Sequence, residues 1–151
     1  MSHTPVPVQP LAYSQRPVDA WRAMTTGICV AALVFALALP LVVVINSWPD
    51  LAAMRLPTIA WPFLYTDFAG VLGALALIPA AMGLLRGRRW GAIAMTAAAG
   101  WVVLARAAHA VYGAWVNPTA TGITWHLAAG AMECLLPALL VYFAVKQGES
   151  E

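Results

Sequence analysis

The chain has 151 residues, 62% of them hydrophobic and 9% charged, with a formal charge of +2. Soluble globular chains average about 45 to 50% apolar and about 25% charged residues, so this is a membrane composition in a chain long enough for one domain. The small net charge is spread thinly, no polybasic tract is present to hold phosphates, and nucleic-acid binding is not expected.

The opening residues 1–21, MSHTPVPVQPLAYSQRPVDAW, are proline-rich and poor in large apolar groups, which predicts a disordered tail. An apolar run over about 22–47 is long enough to cross a bilayer core of roughly 30 Å. It is too long for the 7 to 15 residues typical of a signal-peptide core and lacks a following A-x-A site, so it reads as a retained anchor. The segment 47–62, SWPDLAAMRLPTIAWP, mixes prolines, tryptophans and both charges and predicts a loop along the membrane surface. Further apolar runs follow at about 63–85, 91–116 and 123–145, joined by RGRRWG and NPTATG, and 147–151 reads as a polar tail. Runs of this length point to helices rather than barrel strands of about ten alternating residues. The expected fold is therefore all-α: an integral membrane four-helix bundle.

Four crossings put residues 1–21, the second loop and the C-terminus on one side. That side holds Arg16, Arg22, Arg86, Arg88, Arg89 and Lys146; the other holds Arg55. Basic residues favour the cytoplasmic face, so both termini are expected there, in the inner (plasma) membrane. Trp21 and Trp90 then fall at the inner interface, and Trp48, Trp61, Trp115 and Trp125 at the outer one. The arginines of the second loop serve first as topology anchors, with anionic lipid binding as the alternative.

Ionisable residues inside the spans are costly and mark candidate sites. Counting 1.5 Å per residue puts Arg106 and Glu133 within a few ångströms of the midplane, His109 roughly 8 Å outward, and Asp67 and His126 roughly 10 to 12 Å outward. Helical spacing places Arg106, His109 and Gly113 on one face, His126, Gly130, Glu133 and Pro137 on another, and Asp67, Gly70 and Ala74 on a third. Small residues on these faces let helices approach closely or leave room for a bound molecule. Pro137 cannot donate to the carbonyl of Glu133, which leaves a freed acceptor beside that carboxylate.

An unpaired Arg or Glu at mid-membrane costs at least about 2.5 to 3.5 kcal/mol, so Arg106 and Glu133 are expected to pair. Two readings follow. One is a structural bridge locking the last two helices. The other is an outer-half polar pocket of Asp67, Arg106, His109, His126 and Glu133, binding a small lipophilic or anionic ligand. A membrane isomerase or oxidoreductase component using Glu133 or His109 for proton transfer is the enzymatic alternative. A bis-histidine haem b on His109 and His126 would need more room than helices packed 8 to 10 Å apart provide. No metal motif, GxSxG, P-loop or dinucleotide fingerprint occurs, so no cofactor or metal is expected. The inner halves of the spans lack the polar groups a conductor needs. Cys29 and Cys134 read as free thiols. Expected partners are the lipid bilayer and a larger membrane complex or a homo-oligomer.

The run TDFAGVLGALALIPAAMGLLRGRRWG, then LARAAH with its arginine and AAGAMECLLPALL with its glutamate, resembles the DoxX-like group of small four-helix bacterial membrane proteins. That resemblance covers about residues 65–145. It implies a four-helix bundle, often an accessory subunit of a membrane redox system, with Arg106 and Glu133 as the positions carried over. A fainter likeness is to the emopamil-binding and sigma-2 receptor family, through ALPLVVVINSWPDL, FLYTDF, the basic loop ending in Trp90, and LLPALL. There Asp67 takes the position of a membrane acidic residue, while Arg106 and Glu133 depart from that family's polar pattern.

Overall fold

The computed structural model describes residues 17–52 and 61–149, with side chains described over 22–45 and 61–146. The described residues form four helices: α1 Pro17–Ala52, α2 Trp61–Leu85, α3 Arg89–Val116 and α4 Ala120–Glu149. Each contains a stretch long and apolar enough to cross a membrane: Arg22–Ile45, Trp61–Leu85, Arg89–Val116 and Ala120–Lys146.

The helices run further than the sequence implies. Residues 17–21 are helix rather than tail, and α1 continues to Ala52 through the first part of the expected loop. A proline inside a helix removes one hydrogen bond and is not by itself a stop, so Pro40 and Pro49 are both accommodated. Residues 1–16, 53–60 and 150–151, which carry most of the expected tail, Arg55 and the rest of that loop, lie outside the described residues. At its start α2 takes Trp61 and Pro62 into the first turn, where a missing N–H costs nothing. The α4 helix begins at Ala120, not 123, because the Thr119 hydroxyl accepts the Gly122 N–H at 3.0 Å as an N-cap. At its other end α4 carries residues 147–149, expected as tail.

Neighbours in sequence are neighbours in space: α1 packs along α2, α2 along α3 and α3 along α4, while α1 meets α4 over a small patch. The core is built from small side chains. Ile28, Cys29 and Ala32 of α1, Leu77 and Ala81 of α2, Met95 and Ala99 of α3, and Leu140 and Ala144 of α4 form one buried cluster. It lies toward the end that carries the α2–α3 turn. The Cys29 thiol donates to the Ala81 carbonyl at 3.5 Å and the Cys134 thiol to Val103 at 3.6 Å, and both cysteines are free. Toward the other end a smaller buried cluster joins Leu39, Ala74 and Val102 without an α4 residue. The bundle is thus tightly closed at one end. Asp67, Arg106, His109, His126 and Glu133 lie from the middle of the spans toward the other.

Candidate functional site

Arg106 is the organising side chain, with 3% of its surface exposed in α3. It lies about 5 Å from the helix midpoint at 1.5 Å per residue. Its neighbour on α2 is Gly70, where a Cβ would come within 3.1 Å of the guanidinium Nε and Nη2. A side chain there would push the guanidinium off the α2 backbone by a few tenths of an ångström. From there Nη2 donates to Asp67 Oδ1 at 2.9 Å, and Nη1 to Glu133 Oε2 at 3.3 Å. One guanidinium therefore joins α2, α3 and α4. Its Nε has no partner among the described residues.

The two carboxylates are not equivalent. The Asp67 side chain is 14% exposed and the Glu133 side chain 40%, so the inner, shorter bond is to Asp67. Asp67 was placed by depth counting well outward of Arg106. Its Oδ1 meets His109, one turn along α3 from Arg106, and the length of the arginine side chain spans that turn. Glu133 is level with Arg106 and faces it directly. Pro137, buried four residues on, leaves the Glu133 carbonyl without its helical donor.

His109 extends the cluster. Its Nδ1 lies 3.1 Å from Asp67 Oδ1 and 3.2 Å from Thr66 Oγ1. The Thr66 hydroxyl donates to the Pro62 and Phe63 carbonyls at 3.0 and 2.9 Å, so it presents a lone pair to the ring. Both neighbours of Nδ1 are acceptors. The proton is assigned to Nδ1 on that ground, and Nε2 is the ring atom left to give or take one.

His126 takes a different place. Its ring lies over Gly113, where a Cβ would collide with the imidazole. No hydrogen bond or ion pair joins it to Arg106, Asp67 or Glu133 among the described residues. Its link to the cluster is Phe63, whose ring centroid is 4.9 Å from that of His109 and 6.4 Å from that of His126. Phe63 also meets Tyr112 edge-on at 4.8 Å. The sequence reading missed Phe63 and Thr66. Extending the Asp67 face one turn toward the start of α2 would have found both, since residues 63, 66, 67 and 70 share a helical face.

No family model, curated protein or solved structure matches this chain. The reading of the site therefore rests on its own geometry. Among the described residues, no three His, Cys, Asp or Glu side chains are placed to hold a metal ion.

What the site offers is set by charge. Arg106 contributes one formal positive charge and Asp67 and Glu133 two formal negative ones. Asp67 also lines a groove of about 480 Å³ between α1 and α2, with Pro40, Val43, Leu64, Phe68 and Val71 among its walls. That size is within the roughly 300 to 1,000 Å³ of small-molecule sites. Both described contacts of Asp67 use Oδ1.

Proposed function

We propose that this chain is a multi-pass protein of the inner (plasma) membrane, with both termini cytoplasmic. In that membrane it serves as an accessory or ligand-binding subunit for a small lipophilic molecule. The topology is supported by four apolar spans with Arg22, Arg86, Arg88, Arg89 and Lys146 at the end of the α2–α3 turn. Exposed Trp61, Trp115 and Trp125 ring the other end, as side chains at a membrane–water boundary do.

The observation that carries the ligand reading is Asp67, tied to Arg106 and His109 through one oxygen while lining an apolar groove. Because Arg106 is already held by two carboxylates and does not line the groove, the one charged side chain among the described residues of the groove wall is the acceptor Asp67. An anionic ligand would be repelled. The favoured molecule has a hydrocarbon or aromatic body and a polar head that donates a hydrogen bond to Asp67. Organic extracts of the purified protein should contain such a compound in about equimolar amount, and Asp67→Asn and the groove-filling Val71→Trp should each lose it. Extracts holding bulk lipid alone would end this reading, and a larger protein co-purifying in its place would favour the accessory role.

One observation favours an enzymatic second reading: His109 is held through Nδ1 by a carboxylate, which leaves Nε2 as a proton-transferring atom. His109→Gln should then abolish turnover of the extracted compound without releasing it.

A further inference from the structure

The α2–α3 turn sits at the opposite end from the ionic cluster, and its geometry is fixed by the backbone. Gly87 adopts φ 64°. The Arg88 N–H donates to the Gly83 carbonyl at 2.9 Å and the Gly87 N–H to Leu84 at 3.0 Å, the paired bonds of a Schellman motif. The glycine is required because a side chain at that φ is strained. The motif holds Arg86 and Arg88 on either side of Gly87, both exposed, and among the described residues their guanidinium groups make no hydrogen bond or ion pair. No acidic residue occurs in the sequence between Asp67 and Glu133. Two residues on, Trp90 packs its indole over Gly83 and keeps 50% of its surface exposed.

A second feature lies on the same helix face. Trp90, Ile93, Ala97 and Gly100 are spaced i, i+3, i+7 and i+10, and Ile93 is 72% exposed. Ala97 and Gly100 line an apolar groove of about 550 Å³ between α3 and α4, with Leu104, Ala138 and Val141 among its walls. A Cβ on Gly100 would meet nothing within 4 Å, so the groove floor is open there.

We propose that these two features form one site for an anionic phospholipid, with its phosphate between Arg86 and Arg88 and an acyl chain passing Ile93 into the α3–α4 groove. Guanidinium groups bind phosphate through paired N–H bonds, and the turn lies where two apolar spans end, at headgroup depth. The groove beneath it favours a lipid over a free phosphate. This inference rests on the membrane reading above.

Native mass spectrometry of the full chain in mild detergent tests it, with phosphatidylglycerol, phosphatidylcholine or inorganic phosphate added. One phosphatidylglycerol should be retained, phosphatidylcholine should not, and inorganic phosphate should not displace it. Arg86→Gln with Arg88→Gln should weaken retention about 30-fold, from about fivefold per basic residue at an anionic surface. Gly100→Leu should weaken it without changing the fold, and Arg22→Gln with Lys146→Gln should leave it intact. Arg86→Lys with Arg88→Lys, which keeps the charge, should give an intermediate loss and covers the case in which the glutamine pair fails to fold. Equal retention by the glutamine pair, equal loss in the Arg22 and Lys146 pair, or displacement by phosphate would overturn the site. Release of the chain from membranes by alkaline carbonate would instead overturn the membrane reading beneath it.

Discussion

Removing the charge of Asp67 should harm the bundle more than removing that of Glu133, and removing both should harm it more than the sum. Asp67→Asn keeps the shape and the acceptor oxygen, so the loss is the negative charge of a bond at 2.9 Å to a guanidinium that is 3% exposed. Bonds to charged groups contribute about 1.5 to 3 kcal/mol, which gives about 2 kcal/mol here. Glu133→Gln weakens a longer bond, 3.3 Å, on a side chain 40% exposed, and should cost under about 1 kcal/mol. In either single variant Arg106 retains one anion. In the double variant it has none, and a buried charge stripped of its partner costs about 3 to 5 kcal/mol, so a coupling of about 1 to 2 kcal/mol is expected. Unfolding in mixed detergent micelles, followed by circular dichroism, gives all four corners of the cycle. Strict additivity, or a larger effect at Glu133, would refute the picture of one guanidinium held by two unequal partners.

Three further outcomes follow from neighbouring contacts. Gly113→Ala places a methyl group on the His126 ring and should cost about 1 to 2 kcal/mol, overpacking outweighing the helix propensity gained; combined with His126→Ala the same change should become neutral or stabilising in thermal melts. Trp101 donates from Nε1 to the Ala69 carbonyl at 2.9 Å, so Trp101→Phe should lower stability by about 1 kcal/mol in the same melts. The visible spectrum of the purified protein should lack a Soret band, because Phe63 packs against both imidazoles; a haem spectrum lost on His109→Ala or His126→Ala would contradict that packing.

Apolar run length alone was enough to read four helices from the sequence, because each run exceeds what a buried soluble helix needs. Helix ends were less legible. Thr119 caps α4 from within NPTATG, and the mixed composition of 47–62 points to a loop although α1 runs on through Pro49 to Ala52, since a proline within a helix removes only one bond. In the cluster, Arg106 and Glu133 could be matched from residue counts because they lie at one level across the α3–α4 hairpin. The stronger bond, to Asp67, was hidden because counting measures backbone depth and ignores the reach of an arginine over one turn. The role of Thr66 was equally hidden, since it depends on a hydroxyl already donating to its own helix. Nothing in the sequence alone separates His109, within hydrogen-bond distance of Asp67, from His126, which is held by ring packing.

Nitrogen NMR of arginine-labelled protein in micelles addresses the cluster most directly. One guanidinium should show resolved, slowly exchanging Nη protons, absent in Arg106→Lys and shifted in both Asp67→Asn and Glu133→Gln. Free rotation and fast exchange at every guanidinium, or an Arg106 signal indifferent to Asp67→Asn, would mean that the carboxylates of α2 and α4 do not meet at Arg106.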